Sequence, residues 1–152
     1  MPMPAIFIVP HTHFDPAVFL TREATLDLAC NNLLAALDLM EKDETFTFVL
    51  DQVAYIKPFL ERHPEAEATV RDFIAAGRLE ITGGVYVMPD LNIPSGESLI
   101  RQIAVGKKYC RDVLGVDVNC GWMIDGFGHH PQIPQIMKKA GFDSYVFWRG
   151  AA

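Results

Sequence analysis

The sequence predicts an α/β protein: a parallel sheet with flanking helices. Two observations carry that prediction. Strand-like runs rich in β-branched and aromatic residues alternate with helix-like segments along the whole chain. Polar side chains then gather at the carboxyl ends of the strand-like runs, where parallel α/β sheets place their chemistry.

The first predicted strand is the apolar run 5–9, AIFIV, leading into PHTHFDP. A helix follows over 21–43. Thr21 is its N-cap, Glu23 sits in its first turn, and Leu26, Ala29, Leu33, Leu37 and Met40 recur at helical spacing. TFTFVLDQ, 45–52, is the second strand. Residues 53–63 form a helix that Pro58 makes short or kinked. Residues 65–77 form a helix with Val70, Phe73 and Ile74 inward and Gly77 at C′. RLEITGG, 78–84, is the third strand. A long helix over 95–115 places Leu99, Ile103 and Gly106 on one face, and Gly115 closes it. NCGWMID, 119–125, is the fourth strand and places Trp122 in the core. A short helix over 131–141 ends at Gly141, and SYVFWRG, 144–150, is the fifth strand. A strand at the end without a covering helix makes the chain an expected part of something longer.

Half of the 152 residues are apolar, which suits one core of ordinary size. The net charge of −6 comes without any Lys/Arg stripe, so nucleic acid is not an expected partner. No apolar run has the length of a membrane helix, and the N-terminus lacks a basic n-region, so no membrane partner is expected. Cys30, Cys110 and Cys120 lack paired metal spacing and read as small buried apolar residues, reduced, in a cytoplasmic protein. A homo-oligomer is left open.

The strand ends carry the candidate chemistry. On extended backbone, residues two apart share a face, so His11, His13 and Asp15 can point the same way. An imidazole and a carboxylate at that spacing suit zinc, with cobalt or another divalent ion as the alternative. The competing reading is a strand-end histidine pair that holds a loop by hydrogen bonds. Spacing does not decide which histidine is the ligand. Asp125, ending the fourth strand before Gly126 and Gly128, is a third candidate ligand or a nucleophile, or else the start of an Asx turn. The second strand ends in Asp51 and Gln52. Asp90 either contributes to the site or holds its own loop, and Ser95 or Ser98 caps a helix. His129 and His130 cap the following helix or line the site, whereas His63 reads as a solvated loop histidine. Phe14, Phe19, Tyr86, Phe127 and Trp148 are candidates for a sugar-stacking wall, with core packing the commoner fate of aromatic rings.

Three stretches, PHTHFDP, GGVYVMPDLNIPSGESLIRQ and GWMIDGFGHHPQIPQIMKKAGF, occur in this order. Together they resemble the N-terminal catalytic domain of glycoside hydrolase family 38, the α-mannosidases, over nearly the whole chain. The resemblance implies that residues 1–152 are the N-terminal part of a seven-stranded (β/α) barrel of the glycoside hydrolase and deacetylase type. It implies one zinc ion held by His13, Asp15 and Asp125, with His11 in support. It implies that Asp125 is the nucleophile of a retaining α-mannosidase acting on an α-mannoside oligosaccharide. Arg149 falls on the family's arginine near the sugar, and Asp90, Tyr86, Phe14 and His129 are the expected neighbours of the substrate. A further zinc histidine and the general acid/base are expected beyond Ala152, so this stretch alone is expected to be inactive. Many members carry a tryptophan three residues beyond the zinc aspartate, where this chain has Val18, with Phe19 next. Two other readings remain: a metal-dependent deacetylase or amidohydrolase using zinc-activated water, and a carbohydrate-binding barrel without turnover.

Overall fold

The computed structural model describes residues 5–16 and 18–150. It is an α/β structure with parallel strands, as the alternation predicts, but among the described residues the strands form two two-stranded sheets and not the single sheet expected. The first long helix, α1 (Arg22–Lys42), is capped by Thr21, whose Oγ1 accepts from the Ala24 N–H at 3.3 Å. Leu26, Ala29, Leu33, Leu37 and Met40 are all buried on one face. Next come β1 (Phe48–Gln52), α2 (Val53–Arg62, containing Pro58) and a 3₁₀ turn at Pro64–Ala66. Then follow α3 (Glu67–Ala75) and β2 (Leu79–Val85). The helix predicted over 65–77 is thus split. Gly77, with φ 69°, takes the left-handed position after it.

Strands β1 and β2 are parallel, with Phe48 opposite Leu79 and Gln52 opposite Val85. Every residue of β1 is buried, as in a strand covered on both faces. Helix α4 (Gly96–Tyr109) begins at the cap Ser95, whose Oγ accepts from the Ser98 N–H at 3.2 Å. It runs into a π-helical turn, Cys110–Leu114, that ends at Gly115 with φ 74°. Leu99, Ile103 and Gly106 form its buried face. The last elements are β3 (Cys120–Trp122), α5 (Ile133–Lys139) and β4 (Ser144–Val146), with β3 and β4 parallel.

Gly106 is where α4 meets the sheet. A Cβ there would lie 2.4 Å from the carbonyl carbon of Val85 and 2.6 Å from the carbonyl oxygen of Gly84. Both are backbone atoms, so neither can swing aside. Gly106→Ala is expected to cost roughly 1–3 kcal/mol of stability, read as a lower urea midpoint at unchanged slope. An unchanged midpoint would mean that α4 does not seat against β2 this closely.

Three expectations need correction. The run 5–9 does not form a buried strand. Ile6, Phe7 and Ile8 are 90%, 86% and 84% exposed, and the segment reaches the sheet only through a parallel bridge between His11 and Val49. Pro10 lies at that point and has no N–H to extend a ladder, although its carbonyl accepts from the Val49 N–H at 2.9 Å. The predicted strands 119–125 and 144–150 shorten to three residues each. The Met123 N–H still reaches the Val146 carbonyl at 2.9 Å, and the chain then turns. Finally, His63 is not simply solvated: it caps α2 and packs on Phe59, with ring centroids 5.2 Å apart.

Candidate metal centre

The carboxyl ends of the strands converge as the alternation predicts. Asp51 is the fourth of the five consecutive buried residues of β1 and is itself 4% exposed. A carboxylate so enclosed needs a partner. Its Oδ2 lies 3.4 Å from Nδ1 of His13. The other ring nitrogen of His13, Nε2, lies 3.5 Å from Asp15 Oδ1 and 3.5 Å from Asp125 Oδ2. His13, Asp15 and Asp125 each offer a ligand atom within 4.8 Å of the others.

This donor set fits a metal ion. Nε2 of His13 is buried and has no hydrogen-bond partner, while two carboxylates face it. Oxygen and imidazole donors of this kind suit zinc and other borderline divalent ions. Asp51 occupies the place of the carboxylate that orients a ligating imidazole from behind. Sequence reading placed Asp51 at a strand end but gave it no role. The signal was available: a lone carboxylate directly after the apolar strand run Phe48–Leu50.

The imidazole of His13 is held above its ordinary pKa of 6.5. The hydrogen bond to Asp51 is the largest cause; burial opposes it, and the charges of Asp51, Asp15 and Asp125 reinforce it. A cation must therefore displace a proton that Asp51, Asp15 and Asp125 favour on the imidazole. Apparent metal affinity is expected to rise with pH up to the raised pKa, by about tenfold per unit for one displaced proton, and then to flatten. Competition titrations against a chromogenic chelator across this range would show it. A flat profile would remove His13 from the ligand set.

Asp125 is fixed from its other side. Arg149 donates to Asp125 Oδ1, and its guanidinium carbon lies 4.0 Å above the Phe127 ring. The backbone carbonyl of Arg149 is held in turn by Nε2 of His129 at 2.8 Å. A carbonyl can only accept, so Nε2 carries the hydrogen. In the neutral ring Nδ1 is then the acceptor, and the Tyr145 hydroxyl donates to it at 2.6 Å. Burial pushes the Tyr145 pKa up, which keeps that donor protonated. His129 therefore has no free ring nitrogen for a sugar, contrary to the expectation that it faces the substrate. Nothing in the sequence pattern pointed to Tyr145.

A cavity of about 190 Å³ opens beside this cluster. His13, Phe14, Asp15, Gln52, Asp90 and Asp125 are among its lining residues, together with Phe127. Asp90 also accepts from the Asn92 N–H at 2.9 Å, so it both shapes its loop and meets the cavity. Of the five candidate stacking aromatics, Phe14 and Phe127 line it. Tyr86 does not: it lines a separate cavity with Arg22 and Tyr55. Phe19 and Trp148 are exposed and outside the lining, and Val18 is exposed too. His11 stands behind the cluster, its ring edge-on to Trp122 at 5.5 Å and tilted against Trp148 at 6.1 Å. A larger cavity between α4 and α5 shares no residue with the cluster.

Fold and donor set together define a class: an α/β domain with a metal-competent His/Asp cluster at the carboxyl ends of parallel strands. The chain belongs to the glycosyl hydrolases family 38, whose N-terminal domain matches residues 3–151. An alpha-mannosidase 2 from Mus musculus is 33% identical over 151 residues, covering 95% of this chain and 13% of the mouse protein. The crystal structure of an alpha-mannosidase from Enterococcus faecalis V583 superposes with a TM-score of 0.85 at 32% identity, covering 93% of this chain and 16% of that one. A mutant of a CE4 family pseudoenzyme shares the fold at a TM-score of 0.57 and 11% identity, over 78% of this chain and 40% of its own. The chain thus spans about an eighth of the mouse relative's length.

Proposed function

We propose that the complete protein is a retaining α-mannosidase that removes terminal α-linked mannose from oligosaccharides in the cytoplasm. One observation carries this reading. In a chain of family 38, Asp125 stands at the mouth of a sugar-sized cavity, held by Arg149 and grouped with His13 and Asp15. A retaining glycosidase needs one carboxylate that attacks the anomeric carbon and a second carboxyl group that protonates the leaving oxygen.

Asp125 is the attacking group. Arg149 holds one of its oxygens and leaves the other facing His13. The attack forms a bond from the carboxylate oxygen to the anomeric carbon and breaks the glycosidic bond, giving a covalent mannosyl-enzyme. Water then displaces the aspartate, with net retention. His13, Asp15 and Asp125 would hold the zinc ion, which supplies Lewis-acid binding of sugar hydroxyls when bound. Phe14 and Phe127 offer apolar walls to the ring.

The test is hydrolysis of an aryl α-mannoside by the protein made from its complete reading frame, followed by NMR. The first-formed product is expected to be α-mannose. β-Mannose as first product, or release of acetate from acetylated sugars without mannoside cleavage, would overturn the reading.

A further inference from the structure

Gln52 ends β1, one residue past Asp51, and its side chain is enclosed, with the residue only 2% exposed. Its Oε1 accepts the backbone N–H of Met88 at 2.8 Å. That bond settles the orientation of the amide, because an N–H must meet the oxygen and not the NH₂. The NH₂ end is thereby turned away from Met88, and it has no hydrogen-bond partner among the described residues. Gln52 also lines the cavity that holds His13, Asp15, Asp90 and Asp125. Buried donors in folded proteins nearly always have partners, so an exception at a cavity wall points to a partner that arrives with the ligand.

The frame around this amide is fixed. The β1–β2 register shifts between Leu50 and Gln52, and such an irregularity re-aims the side chain that follows it. The loop that anchors Oε1 is itself tied down. Val87 donates to Gln102 Oε1 at 3.0 Å, and the Tyr86 carbonyl accepts from the Ala54 N–H at 2.7 Å.

We infer that Gln52 is a substrate-orienting donor, its Nε2 hydrogens holding one ring-hydroxyl oxygen of the sugar seated against Asp125. The inference rests on the glycosidase reading above. A carboxamide suits the position chemically. It donates without adding charge beside Asp15, Asp90 and Asp125, and it leaves the hydroxyl hydrogen free to meet a carboxylate.

The experiment compares wild type, Gln52→Glu and Gln52→Met, each as the complete zinc-loaded protein. The substrates are an aryl α-mannoside and its 2-, 3-, 4- and 6-deoxy analogues. Gln52→Glu keeps the shape and the acceptor for Met88 but loses the donor; Gln52→Met loses both without adding charge. Both variants are expected to lower kcat/KM on the parent mannoside by roughly 100-fold. On one monodeoxy analogue they are expected to match wild type within about threefold, because the missing oxygen already removes that contact. A uniform loss on all five substrates overturns the inference. If neither variant folds, the wild type still decides. The Gln52 side-chain amide signals in ¹⁵N-labelled protein must move when a mannose-type competitive inhibitor binds, and signals that stay put overturn the inference. A wild type that cleaves none of the five substrates overturns the glycosidase reading itself, a separate outcome.

Discussion

Asp125→Ala is expected to abolish mannoside turnover, by on the order of 10⁴-fold or more, while leaving the fold intact. The side chain is a quarter exposed and lies in the turn three residues past β3, so its loss opens no core cavity. On the proposed mechanism it removes the group that forms the bond to the anomeric carbon. It also frees Arg149 and takes one carboxylate from the cluster. Loss of activity alone would fit several mechanisms, so the product of rescue matters. Azide is small enough to enter the space left by the carboxylate. Attack from that side gives β-mannosyl azide and restores part of the rate. A deacylase, in which the aspartate only activates water, gives no sugar azide.

His13→Ala has the second large expected effect, and it acts on both metal binding and stability. His13 is the residue that joins Asp51 on one side to Asp15 and Asp125 on the other. Without it, Asp51 keeps a buried carboxylate with no side-chain hydrogen-bond partner among the described residues. Stranding a buried charge costs about 3–5 kcal/mol. Metal affinity is expected to fall by 100-fold or more, roughly the effect of losing even an outer partner of a ligand. Chemical denaturation with and without a chelator separates the two effects. Chelation should destabilise wild type, by the linkage between binding and folding, and leave His13→Ala unchanged. Equal response of both proteins to the chelator would contradict the assignment of His13.

The helices were legible because their information is local. Thr21 and Ser95 cap as their positions suggest, and the apolar spacing of α1 and α4 reads directly as buried faces. The ends of strands were less legible, because a strand exists only where a neighbour supplies hydrogen bonds. The run at 5–9 has strand composition, yet among the described residues it gains no covering side chains, and the chain meets β1 only after it, through the bridge between His11 and Val49. The strand-end rule did bring His13, Asp15 and Asp125 to one point. It could not separate groups that face the cavity from groups that stand behind it. Tyr86 and His129 follow strand ends in sequence, but one lines another cavity and the other is consumed by Tyr145 and Arg149. Asp51 and Gln52 adjoin in sequence and divide the work: one orients the imidazole and the other lines the cavity. That division depends on the register shift in β1, which no sequence pattern announces.

The central claim is that Asp125 attacks carbon. Trapping the complete protein with a fluorinated mannosyl inhibitor and mapping the adduct by peptide mass spectrometry tests it most directly. The account predicts one mannosyl adduct, carried by the peptide containing Asp125. An adduct on another carboxylate, or none while acetylated sugars release acetate, would contradict it.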